Sequence, residues 1–79
     1  MSSDEKIDLV LDLKGLNCPL PILRTKKALA TLDSGAVLRV LATDAGAPAD
    51  FEHFCRQTGN VLLSSVKQDA VFVLVLRRK

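Results

Sequence analysis

The apolar residues of this chain change their spacing between Leu13 and Ile22, and two prolines mark the change. In "KIDLVLDL", Ile7, Leu9, Leu11 and Leu13 alternate with Asp8, Val10 and Asp12, the period of a strand with one face buried. Gly15 and Asn17 then supply turn chemistry. From Pro21 to Leu32 the positions Ile22, Thr25, Leu29 and Leu32 recur at helical spacing with Ala28 beside them, until Asp33-Ser34-Gly35 stops the helix. Pro19 and Pro21 fix their own φ angles and disfavour helical geometry at Cys18 and Leu20. The chain is therefore expected to run extended through Cys18 and to enter the helix between Pro19 and Pro21.

The remainder divides in the same way. "AVLRVLAT" reads as a strand with Ala36, Leu38, Val40 and Ala42 on its core face. "TDAGAP" is a loop, and Pro48 suits the first turn of a second helix. In that helix Phe51, Phe54, Cys55 and Thr58 form one stripe, and Gly59 is placed to end it in the left-handed conformation. "NVLLSSV" and "AVFVLVLR" are strands joined by a tight turn around Gln68-Asp69. The order β-α-β-α-β-β predicts an α/β two-layer sandwich. Right-handed crossovers place both helices on one face of a four-stranded mixed sheet. "VFVLVL" is apolar on both faces, which favours a central strand covered on both sides over a strand whose outer face is exposed for a partner.

With 79 residues the chain has room for one small domain, expected over residues 6–79, with residues 1–5 a disordered tail. Two cysteines and one histidine do not make a four-ligand zinc set, and no metal or cofactor is expected. No apolar run reaches the ~18 residues of a membrane span, and "MSSDEKID" is too polar for a signal peptide. A cytoplasmic protein with reduced thiols and no membrane partner is the expectation. The net charge of +2 is too small to suggest nucleic-acid binding, and stacking aromatics are lacking. The charge is unevenly spread, however. From Leu13 to Leu32 there is no acid, only Lys14, Arg24, Lys26 and Lys27. This basic stretch reads either as a solvated helix face or as a docking surface.

Cys18 stands where the helix begins, near the positive end of its dipole. A free thiol with an ordinary pKa of about 8.5 becomes more acidic near helix N-termini and cations. The expectation is a rigid, exposed and somewhat acidified thiol, suited to attack on sulfur. The alternative is a small residue that merely fits beside a Pro-x-Pro helix start. Cys55, inside the Phe51/Phe54/Thr58 stripe, reads as buried and inert, and His53 as a surface residue. With the two thiols on different helices and no C-x-x-C pair, a dithiol oxidoreductase is not expected. Asp44, at the end of the second strand, is a candidate for ordering its loop or for contacting a partner.

The stretches "LDLKGLNCPLPILRTKKAL", "LATDAGAPADFEHFCRQTGN" and "FVLVLRRK" together resemble the TusA/SirA-like sulfur-carrier family over nearly the whole chain. The most specific element is Cys18-Pro19-Leu20-Pro21 after a strand and a Gly15-Leu16 turn. The resemblance implies the β-α-β-α-β-β fold. It also implies that Cys18 takes up sulfane sulfur as a persulfide and passes it on, with Gly15, Pro19 and Pro21 supporting the motif. The implied partners are a donor protein (a cysteine desulfurase, a rhodanese-like or a DsrE-like protein) and a downstream acceptor, in tRNA thiolation or sulfur oxidation. Arg24, Lys26, Lys27 and Asp44 are the candidate docking residues. A non-catalytic regulatory module that docks through the basic first helix is the rival reading.

Overall fold

The computed structural model describes residues 6–79, and the tail expected at residues 1–5 lies outside them. Strand β1 (Leu9–Leu13) is followed by helix α1 (Leu20–Leu29), strand β2 (Val37–Ala42), helix α2 (Ala47–Thr58) and the hairpin of β3 (Val61–Gln68) and β4 (Val71–Arg77). The sheet order is β1-β2-β4-β3, with β1 parallel to β2 and the other pairs antiparallel. This is the α/β sandwich with a mixed four-stranded sheet that the periodicities predict.

The alternation in the strands decides which face the helices cover. Leu38, Val40 and Ala42 of β2 and Leu74 and Leu76 of β4 are wholly buried. They pack in one cluster with Leu13 of β1, Leu29 of α1 and Phe51, Phe54 and Cys55 of α2. The α2 stripe is thus buried as its spacing requires, and Gly59 caps the helix at φ 86° while its N–H donates to the Cys55 carbonyl. Helix α1 ends earlier than its pattern suggests. Tight bonds from Thr31 N to Ala28 O and from Leu32 N to Leu29 O close the chain into turns after Leu29.

Strand β4 is central, as its sequence requires, but the expectation that both its faces are covered is corrected. Both helices lie on the Leu74/Leu76 face. Among the described residues no element lies over the other face, where Leu41 pairs with Val73 and Val73 with Val66. Val10 and Val66 on that side are about half exposed. Val73 is only half-buried, shielded by neighbouring strands and not by a second layer.

Parallel pairing of β1 with β2 has a functional consequence. Each strand is followed by a helix, so the N-termini of α1 and α2 emerge at the same end of the sheet. The two connecting loops are tied there: the Gly15 N–H donates to the Thr43 hydroxyl at 2.9 Å. Gly15 itself has φ 85°, which few other residues tolerate.

Candidate functional site

The loop that leaves β1 delivers Cys18 to this end of the molecule. The Leu20 N–H donates to the Asn17 carbonyl at 2.8 Å and that of Leu23 to the Pro19 carbonyl at 3.1 Å. Cys18 and Pro19 are therefore the middle of a tight turn, with a cis peptide between them, that runs directly into α1. The helix thus begins at Leu20, between the two prolines as expected, but the chain reaches it through a tight turn and not along a straight extended segment. The first free N–H of the helix needs an acceptor, and the Asn17 carbonyl provides one by folding the chain back. Pro19 is the N-cap residue, and Pro21 is buried in the first turn of the helix.

Cys18 is a free, exposed thiol. It opens onto a groove of about 450 Å³ between α1 and α2, whose apolar wall includes Pro19, Ile22, Leu23 and Phe54. Asp50, His53 and Lys26 line the same groove. Leu20 and Leu23, beside the thiol on α1, are 41% and 52% exposed, so the thiol is flanked by apolar surface open to solvent. A second groove of about 440 Å³ continues past Lys26, Phe54 and Thr58 towards Arg78 and Lys79.

The electrostatics run opposite to expectation. The Cys18 thiol is pushed above its ordinary value, first by partial desolvation, then by the charge of Asp50 and Asp50's capacity to accept from S–H, and last by Asp44. No hydrogen bond of standard geometry joins Cys18 to Asp50, so the carboxylate acts mainly as a nearby charge. Because the thiol is exposed, water screens each of these effects. Two structural facts explain the reversal. Pro19 and Pro21 remove N–H donors that would stabilise a thiolate, and Arg24 and Lys27 do not line the groove that holds the sulfur.

The residues expected at the site are thus brought together only in part. Lys26 lines the groove; Arg24 and Lys27 are exposed elsewhere on α1. Asp44 orders its loop through its backbone, its carbonyl accepting from the Ala47 N–H at 3.0 Å. Its carboxylate points towards the space over Gly46, within 3.3 Å of where a β-carbon would stand there, and the Asp50 carboxylate approaches the same point to 3.6 Å. Asp50 and His53 were not singled out from the sequence as site residues. The signal that finds them is topological: parallel β1 and β2 bring the start of α2 beside the start of α1. Cys55 is buried in the core, and burial pushes its thiol up. Among the described residues no group of His, Cys, Asp or Glu side chains is placed to hold a metal ion, and no helix is long and apolar enough to cross a membrane.

The chain's similarity to known proteins agrees with this fold. The family model described as Sulfurtransferase TusA matches residues 9–78. A provisionally named sulfur carrier of Neisseria meningitidis is 67% identical over 69 residues, covering 87% of this chain and 93% of its own. The sulfur carrier protein TusA of Allochromatium vinosum is 49% identical, over 90% of this chain and 93% of its own. The crystal structure of a SirA-like protein from Desulfitobacterium hafniense superposes with a TM-score of 0.77 at 27% identity, covering 87% of this chain and 95% of that one. These matches assign the chain a general role in carrying sulfur between donors and acceptors. The chain belongs to the sulfurtransferase TusA family.

Proposed function

We propose that this protein carries sulfane sulfur as a persulfide on Cys18, within a single functional unit spanning residues 6–79. The observation that supports this reading is the exposed thiol in a tight turn, at the mouth of an apolar groove and flanked by exposed Leu20 and Leu23. A thiol fixed in a hydrogen-bonded turn reaches into a partner's active site with little further ordering cost.

The chemistry is two consecutive exchanges. The Cys18 thiolate attacks the outer sulfur of a donor's cysteine persulfide. A new S–S bond forms on Cys18, the donor's S–S bond breaks, and the donor cysteine leaves as thiolate. An acceptor thiolate then attacks the outer sulfur on Cys18, and Cys18 leaves as thiolate with no net oxidation or reduction. The donor would be a cysteine desulfurase, a rhodanese-like or a DsrE-like protein. The acceptor would be the next protein in a relay serving tRNA thiolation or sulfur oxidation, in the cytoplasm.

Intact-mass measurement after incubation with a persulfide donor tests the reading. Wild-type protein should gain one sulfur, which a reductant removes, and should pass it to an acceptor thiol. Cys18→Ser should do neither while melting close to wild type. A Cys18→Ser protein that still relays sulfur would overturn the proposal.

A further inference from the structure

The thiol's surroundings hold a feature that simple exposure of a nucleophile does not call for. Two carboxylates stand near it, although the helix that carries the thiol into place is rich in cations and contributes Lys26 to the same groove. Asp50, from the first turn of α2, lines the groove with Cys18. Asp44, from the loop after β2, directs its carboxylate to the same space over Gly46. The other charged or titratable side chains that line the groove are Lys26 of α1 and His53 of α2. Neither Asp44 nor Asp50 forms a salt bridge among the described residues. The ion pairs of the described residues are Lys14–Asp12 and Arg56–Glu52, both on exposed surface.

We propose that Asp44 and Asp50 act as a charge gate on Cys18. In the free protein they hold the sulfur in its protonated, slow form. Docking of a partner segment with a cationic group beside its own reactive sulfur neutralises them and releases the thiolate. This rests on the persulfide reading and adds a partner chemistry to it. The apolar wall formed by Ile22, Leu23 and Phe54 takes an aliphatic side chain of the docking segment, and the two carboxylates take an Arg or Lys next to its cysteine. The balance is simple. The proton leaves Cys18 for solvent as the cation arrives, and no electron changes hands until the sulfur is attacked. A gate of this kind keeps an exposed thiol from spending itself on unrelated electrophiles, because both carboxylates oppose its ionisation when no cation is present. Asp44 and Asp50 are positioning residues here, acting through the ionisation of Cys18 and not on the transferred sulfur.

The test uses three short peptides, Ala-Leu-Cys-Arg-Ala and its versions with Gln or Glu in place of Arg, each activated at cysteine as a thiopyridyl disulfide. Cys18 attacks the peptide sulfur, a mixed disulfide forms, and thiopyridone leaves and is followed by absorbance. Against wild-type protein at low salt the Arg peptide should react about fivefold or more faster than the Glu peptide, with Gln between them. In the Asp44→Asn/Asp50→Asn variant that ratio should fall towards one, and the pH profile of iodoacetamide alkylation should move to lower pH. An unchanged peptide ratio in the variant overturns the gate, even if the alkylation profile moves, because the carboxylates would then tune the thiol without reading a partner. An unmoved profile overturns it as well. The persulfide reading is judged separately by sulfur loading of the same wild-type sample. Loading without peptide discrimination removes the gate alone, and discrimination without loading removes the carrier chemistry and leaves the gate standing.

Discussion

Asp50 and Cys18 are distant in sequence and neighbours in space because two parallel strands end side by side, and this juxtaposition places a negative charge that opposes ionisation of the thiol. At residue scale the dominant charges are those that face the sulfur, not those nearest in sequence. Replacing Arg24 and Lys27 by Gln should therefore leave the alkylation rate of Cys18 by neutral iodoacetamide unchanged, since neither lines its groove. Asp50→Asn alone should raise that rate at neutral pH. Cys55 supplies a contrast. Burial raises its folded-state pKa above the unfolded one, so its contribution to stability is fully present below the unfolded value. That contribution is lost as pH climbs through the folded value. Melting temperature should accordingly fall as pH rises beyond the ordinary thiol range, and fall less steeply in Cys55→Ala, as differential scanning calorimetry would show. Cys55→Ser should cost about 1–3 kcal/mol, because it buries a hydroxyl in an apolar cluster.

At the scale of elements, helix α1 carries a conflict between pattern and chemistry. Thr25 occupies the helix position that points into the core, is wholly buried, and its hydroxyl has no partner. Valine has the same shape without the hydroxyl. Thr25→Val should raise stability by about 1–2 kcal/mol, measured by urea unfolding with an unchanged m-value. Helix α2 shows the reverse, with local and global preferences in agreement. Gly59 at φ 86° ends the helix where a β-carbon would meet the Lys79 side chain at 3.1 Å. Gly59→Ala should cost about 1–2 kcal/mol, most of it backbone strain, since the end of the lysine chain can shift. Most elements were legible because they have a single clear period, and β4, apolar on both faces, because turn signals bound it. The α2 stripe of Phe51, Phe54 and Cys55 and the β2 face of Leu38, Val40 and Ala42 are buried as their spacing says. What the sequence did not disclose was pairwise and long-range. The Asn17–Leu20 turn depends on an orphan helix N–H finding a carbonyl, and the charge around Cys18 depends on α2.

In the whole molecule, stability and the candidate chemistry occupy different places. The core centres on Phe51 and the inner faces of β2 and β4, and the thiol stands at the rim where both helices begin. Phe51→Ala should cost about 3–5 kcal/mol, a large part of what a small domain possesses. Strand order carries a further consequence, for the history of the chain. β4 follows β3 in sequence and yet sits between β2 and β3, so β2 finds its antiparallel neighbour only across the span from Ala42 to Phe72. During synthesis β1, α1 and β2 emerge first as a crossover unit with a parallel pair, both of whose edges are open. The slot beside β2 stays empty until residues 71–77 leave the ribosome. The cooperative fold thus waits for β4, and a chain cut short before β4 would lose the partner of both β2 and β3 in one stroke.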